Sequence, residues 1–326
     1  MKTTVADIRA NDNVEEVFVA AEKNVRKKAD GAPYLHMVFS DKTGRVSAVA
    51  WDDVERLSRE FSPGDFVYVS ATAQEYRGSV QLKVRDVARV AAEKVDPADF
   101  LPTSERDPDK TLSEVRRMAL GLKSSHLVDL FGVFFDDAEF VDRLRRAPGA
   151  KMMHHAYLGG LVEHTFSVAT LAASAAMFYN LQGRVLDRDM LVAGAILHDI
   201  GKMEEFVYET RIDLSEKGRL LGHIVMGLDM LNERIKRVPD FPEQDAMLLR
   251  HMIASHHGSR ENGSPEVPRT LEALLLYMVD DMDAKLWGAR TFMEADDTGG
   301  SWTAFNKPFS RFFYKNPADG HKEPGP

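Results

Sequence analysis

Eight of the 11 histidines in this chain fall between positions 154 and 257, and several interrupt apolar runs. His164 lies in Leu161-Val162-Glu163-His164-Thr165, opened by Gly159-Gly160. His198 and Asp199 end the run Leu191-Val192-Ala193-Gly194-Ala195-Ile196-Leu197, and Gly201 follows as a helix terminator. His223 stands in Leu221-Gly222-His223-Ile224, and His256-His257-Gly258 closes another helical run. Asp280, Asp281 and Asp283 share a helix with Leu274, Leu275, Leu276 and Val279. A single buried histidine is most often just a hydrogen-bonded core residue. Five helical segments that each bring an imidazole or carboxylate to an apolar face are another matter, because such a cluster is costly without a compensating charge. A divalent cation supplies that charge. There is no cysteine, so the donors are nitrogen and oxygen only. Neutral imidazole and carboxylate suit Mn, Fe, Zn, Ni or Co. A vicinal pair such as His198-Asp199 can turn both side chains to one centre, with Asp199 able to bridge two ions. A divalent ion brings the pKa of bound water toward neutrality and stabilises charge on a phosphoryl oxygen, which is the chemistry of phosphoester hydrolysis. Lys202, three residues past Asp199, offers a cation for phosphate or is simply a solvated helix-end lysine.

These residues need helices to hold them. Helical periodicity begins at Thr111 and predicts helices over 111–122, 124–135, 137–146, 159–180, 188–198, 222–236, 243–255 and 270–287. The expected second domain is all-α, over 111–295. The tail from 296 carries Trp302, Phe305, Phe309, Phe312, Phe313 and Tyr314. It is expected to dock on the protein, with the last ten residues disordered. Residues 93–110, with Pro97, Pro102 and Pro108 among many charges, read as a linker.

The first 92 residues read differently. Arg45-Val46-Ser47-Ala48-Val49-Ala50-Trp51 alternates polar and apolar, as a half-buried strand does. Further strands are expected at 14–20, 33–39, 66–69 and 80–84, with a short helix at 52–61. Five strands with a helix between the third and fourth is the order of an OB-fold barrel, and a small SH3-like barrel would look much the same. Such a barrel binds single strands by stacking bases on aromatics and tracking phosphates with basic side chains. Arg26, Lys27, Lys28, Tyr34, Arg45, Trp51, Tyr76 and Arg77 are the candidates here. Tyr34 and Trp51 would equally serve as barrel-closing residues, and Arg26-Lys27-Lys28 as a solvated loop.

With 44% hydrophobic and 29% charged residues, the composition is that of an ordinary globular protein. The net charge of −9 counts mildly against a dedicated nucleic-acid binder. It is uneven: residues 1–95 are balanced, with 15 basic and 15 acidic side chains, and the remainder holds the whole acidic excess. No run of 18 apolar residues predicts a membrane span. The first residues do not resemble a signal peptide, so the expected location is the cytoplasm.

Taken together, His164, His198-Asp199 and Asp280 resemble the HD superfamily of metal-dependent phosphohydrolases. The added His223 and His256-His257 resemble the fuller ligand set of its two-metal members. Longer strings are more specific. Met153-His154-His155-Ala156-Tyr157-Leu158-Gly159-Gly160-Leu161-Val162-Glu163-His164-Thr165, Leu197-His198-Asp199-Ile200-Gly201-Lys202 and Asp280-Asp281-Met282-Asp283-Ala284-Lys285 resemble the YhaM-type 3′→5′ exoribonucleases. That family joins an OB-fold to an HD domain. Gly31-Ala32-Pro33-Tyr34-Leu35 and Ser40-Asp41-Lys42-Thr43-Gly44-Arg45-Val46 are similar to its OB segment. The resemblance implies an N-terminal all-β OB-fold followed by an all-α HD domain. It implies manganese-dependent removal of nucleotides from the 3′ end of single-stranded RNA, with single-stranded DNA and a homo-oligomer left open. The pattern Asp-x-x-Asp-Ala selects Asp280 over Asp281 as ligand, with Asp283 supporting the ligands or capping its helix. The alternatives are an HD hydrolase of a cyclic dinucleotide, dNTP or alarmone, and a binding module with a decayed centre. The barrel argues against the first, since a small substrate needs no strand-tracking surface, and the full ligand set argues against the second.

Overall fold

A computed structural model describes residues 2–152 and 155–315. The chain divides into two compact units, Met1–Thr103 with Val207–Asp213, and Ser104–Phe206 with Leu214–Pro326.

The first unit is a closed barrel. Its strands are β1 (Asn13–Lys27), β2 (Pro33–Asp41), β3 (Gly44–Ala50), β4 (Phe66–Tyr76) and β5 (Ser79–Val90), and helix α1 (Val54–Arg59) lies between β3 and β4 in sequence. Around the barrel the order is β1-β2-β3-β5-β4, closed by β1 against β4. Every pairing is antiparallel except β3 with β5. This is the OB-fold the strand order predicts. Strand β1 serves two partners, because a bulge between Ala20 and Glu22 bends it from β4 toward β2. Period-2 alternation then sorts the side chains. Leu35, Met37 and Phe39 of β2 and Val46, Ala48 and Ala50 of β3 fill the interior. Their neighbours Tyr34, His36, Ser47, Val49 and Trp51 line an outer groove. The expected linker is partly barrel: Phe100 is buried on Phe66 with ring centroids 4.8 Å apart, so an apolar anchor ties residues up to 103 to the first unit.

The second unit is helical. Its helices are α2 (Pro108–Leu120), α3 (Ser125–Phe135), α4 (Ala138–Arg146), α5 (Gly160–Leu181), α6 (Arg188–Leu197), α7 (Lys202–Glu205), α8 (Glu216–Ile235), α9 (Glu243–Ser255) and α10 (Leu271–Glu294). Asp107, Asp137, Asp187, Ser215 and Thr270 cap five of them with side-chain oxygens on backbone N–H groups. Helix α5 is long and apolar enough to cross a membrane by length and composition, but its first turns are buried in this unit and hold Glu163 and His164. It is a core helix. Between α7 and α8 in sequence comes a hairpin that the periodicity did not predict, β6 (Phe206–Tyr208) with β7 (Ile212–Leu214), and its residues Val207–Asp213 group with the first unit. Helix α8 begins six residues before the predicted 222 and is kinked at Gly222, whose φ is 70°. The aromatic tail turns back on itself: Thr303 N donates to Phe313 O, and Asn306 and Arg311 exchange backbone hydrogen bonds. Phe313 faces Phe292 of α10 at 6.3 Å, while Trp302, Phe305, Phe312 and Tyr314 stay exposed. The expected disorder of the last ten residues lies outside the described residues.

Candidate metal centre and nucleic-acid groove

Helices α5, α6, α8, α9 and α10 place the predicted ligands around Asp199. Two histidines follow one local rule. His198 and His256 each cap the C-terminal end of a helix, where Nδ1 meets the carbonyl three residues back: Ala195 O for His198 and Ile253 O for His256, both at 2.8 Å. A backbone acceptor fixes the proton on Nδ1 and leaves Nε2 free for an ion. His223 and His257 reach the same state through different partners, while His164 is held at both nitrogens. His164 Nδ1 is 2.8 Å from Asp283 Oδ2, His223 Nδ1 is 3.1 Å from Glu205 Oε1, and His257 Nδ1 is 3.1 Å from Asn262 O. Two glycines make His223 possible. A Cβ on Gly201 would stand 1.9 Å from His223 O, so only glycine lets the two segments approach. The positive φ of Gly222 starts the helix afresh and frees His223 N–H to donate to Glu205 Oε1.

The donor atoms fall into two groups that share Asp199. On one side His198 Nε2 is 3.3 Å and His164 Nε2 3.5 Å from Asp199 Oδ2, with Asp280 Oδ1 3.0 Å from His164 Nε2. On the other, His223 Nε2 and His256 Nε2 are each 3.5 Å from Asp199 Oδ1, with His257 beside them. Asp199 Oδ1, His223 Nε2 and His256 Nε2 are buried without a hydrogen-bond partner. Three lone-pair atoms turned to one point, with no proton shared between them, fit a cation. Asp281 is in neither donor group and pairs with Lys285 at 2.7 Å.

The electrostatics match that reading. Burial opposes ionisation of Asp199, but Lys202, 2.6 Å away, and His198 hold its carboxyl well below the usual range. Burial likewise opposes Asp280, which His164 and His198 hold low. His164 is pushed up to about 9 against burial by Asp280 and Asp283. Burial lowers His256, and burial with His256 and His223 as neighbours lowers His257 to about 3. A histidine with a depressed folded pKa contributes stability above its unfolded value near 6.5, and loses it as pH falls. His164, raised in the folded state, acts the opposite way, and its contribution is lost as pH rises from about 6.5 through 9. Between about pH 6 and 5 His164 is largely protonated in both states and drops out. The metal-free protein is therefore expected to melt at lower temperature at pH 5 than at pH 6 in the presence of a chelator. Equal midpoints, read by circular dichroism, would show that His256 and His257 are not buried neutral.

A pocket of about 410 Å³ opens onto Asp199, His223, His256, His257 and Asp280. Lys202 is buried and ion-paired with Asp199 rather than solvated at a helix end. Lys151, Asn262, Tyr277 and Lys285 also line the pocket. None of these four was singled out by sequence, nor was Glu205. A lone polar residue outside a motif carries no signal of its own.

On the barrel, Arg26, Tyr34, Trp51, Tyr76 and Arg77 converge on one groove of about 590 Å³. Tyr34 and Trp51 stack at 4.9 Å, and the Lys28 ammonium sits 5.1 Å from the centroid of Trp51. Arg45 lies apart, in an exposed pair with Glu22 at 3.2 Å, and Lys27 is exposed outside the groove. His36, Ser47, Gln74 and Gln81 form a polar floor the sequence reading missed. Period 2 could have found His36 and Ser47, because Tyr34 and Trp51 share their faces.

Barrel and centre together define a class, a metal-dependent phosphohydrolase of the HD type joined to an OB-fold. Residues 161–285 match the HD domain model, and residues 21–90 match that of the OB-fold nucleic acid binding domain. The chain belongs to the family of the 3′-5′ exoribonuclease YhaM. It is 32% identical to the YhaM exoribonuclease of Bacillus subtilis over 278 residues, which cover 84% of this chain and 86% of that one. It is 33% identical to that of Bacillus licheniformis, covering 79% and 80%. With that of Halalkalibacterium halodurans it shares 27% identity over 94% of both chains.

Proposed function

We propose that this chain removes nucleotides from the 3′ end of single-stranded RNA by metal-dependent hydrolysis, with Mn²⁺ held as two ions in the two donor groups. The observation that carries this is the trio of buried, unpartnered atoms Asp199 Oδ1, His223 Nε2 and His256 Nε2. The donors of one group would be His164, His198 and Asp280, and of the other His223, His256 and His257, with Asp199 common to both. A bound divalent ion activates water and offsets charge on a phosphoryl oxygen. The remaining work falls to side chains of this chain. Lys202 neutralises Asp199 and lines the pocket, so it presents positive charge to an entering phosphate. Tyr277 also lines the pocket and offers a ring for the terminal base. In the barrel groove, aromatic faces with Arg26 and Arg77, and Lys28 beside the groove over Trp51, would hold the strand without reading its sequence. DNA of the same form would fit this groove, and a homo-oligomer is compatible with it.

The test is an incubation of 5′-labelled single-stranded RNA with Mn²⁺ and then with chelator. A ladder that shortens from the 3′ end, and only with the metal, is expected. Intact RNA together with hydrolysis of a cyclic dinucleotide, dNTP or alarmone would replace this reading with that of a small-nucleotide hydrolase.

A further inference from the structure

Behind His164 runs a line of buried polar groups that the donor chemistry does not use. Asp283 Oδ2 meets both His164 Nδ1, at 2.8 Å, and His155 Nε2, at 3.1 Å. The other His155 nitrogen is 2.8 Å from the Tyr157 hydroxyl, which donates to Glu163 Oε2 at 3.0 Å. Glu163 is gripped from the chain segment just before α2. Ser104 Oγ donates to Glu163 Oε2 at 2.6 Å, and Arg106 Nε lies 3.6 Å from Oε1. Ser104 is itself pinned, since its N–H donates to Leu158 O and its Oγ accepts from Arg106 N–H. His155, Glu163 and Asp283 are all buried. His155 also takes a left-handed φ of 50°, a conformation a non-glycine residue adopts at a cost. Two buried carboxylates, an imidazole and a phenol are expensive to place in a core, and packing alone does not call for them.

We propose that Glu163, Tyr157 and His155 are positioning residues that transmit the grip of Ser104 and Arg106 to Asp283, fixing the ring of His164 and so the affinity of the centre for a divalent ion. The inference rests on His164 being an ion donor. Its physical basis is general: a metal-bound histidine holds its geometry through the partner on its other nitrogen, and losing that partner typically costs about 10–100-fold in metal affinity. Here the partner is Asp283, and Asp283 is held in turn by a chain of hydrogen bonds that reaches Ser104, just before α2.

The experiment titrates the full chain with Mn²⁺ alone by calorimetry. Tyr157→Phe and Glu163→Gln are expected to bind Mn²⁺ about tenfold more weakly, and Ser104→Ala to shift the same way by a smaller factor. At saturating Mn²⁺ their KM for RNA should equal that of the parent, since none of them faces the substrate pocket. Each affinity is corrected to the folded fraction given by circular dichroism. A deficit that vanishes on that correction overturns the proposal, because the groups then only stabilise the fold. His164→Ala separates the two layers of the argument. If it loses Mn²⁺ binding while Tyr157→Phe and Glu163→Gln bind as the parent does, the relay is wrong and the centre stands. If His164→Ala binds Mn²⁺ as the parent does, the metal reading fails and takes the relay with it.

Discussion

Asp199→Ala is expected to leave less than about 1% of the parental hydrolysis of RNA, a larger loss than the roughly 10–100-fold cost of removing a group that only orients a ligand. The reason is position. Among the described residues, Asp199 is the side chain whose two oxygens face both donor groups, with Oδ2 near His164 and His198 and Oδ1 near His223 and His256. Its removal also strips the charge that pairs with buried Lys202, leaving an ammonium without its partner at 2.6 Å. Metal occupancy should therefore fall along with turnover. The barrel groove is built from other residues, so affinity for single-stranded RNA should persist. The check is turnover at saturating Mn²⁺ beside an anisotropy titration with RNA. Parental turnover in the variant would refute the role of Asp199. Loss of RNA binding as well would point to global misfolding, which circular dichroism would reveal.

Tyr34→Ala combined with Trp51→Ala is expected to raise the Kd for single-stranded RNA roughly 10–100-fold, with the loss appearing in KM and little in kcat. Stacking of a base on an aromatic ring contributes about 1–3 kcal/mol, and these two rings form one platform at 4.9 Å under the Lys28 ammonium. The interaction is the same in ground and transition states, so it acts on KM. Arg45→Ala makes the internal control. Its side chain is engaged with Glu22 outside the groove and should change affinity far less. Equal effects from both variants would mean that the barrel binds by charge alone. Point variants are preferable to a helical fragment begun at Lys110. Such a fragment would lose Ser104 and Arg106, which hold Glu163, together with Asp107, the cap of α2.

The centre was legible because its residues break a rule that is easy to see. A histidine or aspartate at the end of an apolar helical run, as in Leu197-His198-Asp199, has few reasons to be there. The barrel was legible through alternation, which places Ala48 and Ala50 inward and Ser47 and Val49 outward. Other functional residues lack that contrast. Glu205 and Glu163 are carboxylates like any other in the sequence, and only the fold shows that one faces His223 and the other Ser104 and Tyr157. Strands β6 and β7 are three residues each, too short to display a period. The early start of α8 was hidden by Gly222, which reads as a break and is in fact a kink inside a longer helical stretch. Phe100 lies in a charged, proline-rich stretch that reads as a linker, yet its ring packs on Phe66.

The spread of donors along the chain also sets an order of assembly during synthesis. The group around Asp199 Oδ1 is complete once His256 and His257 have been made, whereas the group with His164 and His198 waits for Asp280 on the last long helix. At about 5–20 residues per second, that final donor arrives roughly 1–5 s later. On the proposed assignment, until α10 is made the nascent chain would hold one complete donor set and one lacking its carboxylate. A translation product interrupted before Asp280 would, on that assignment, have the barrel and one donor group, but would lack the carboxylate of the other.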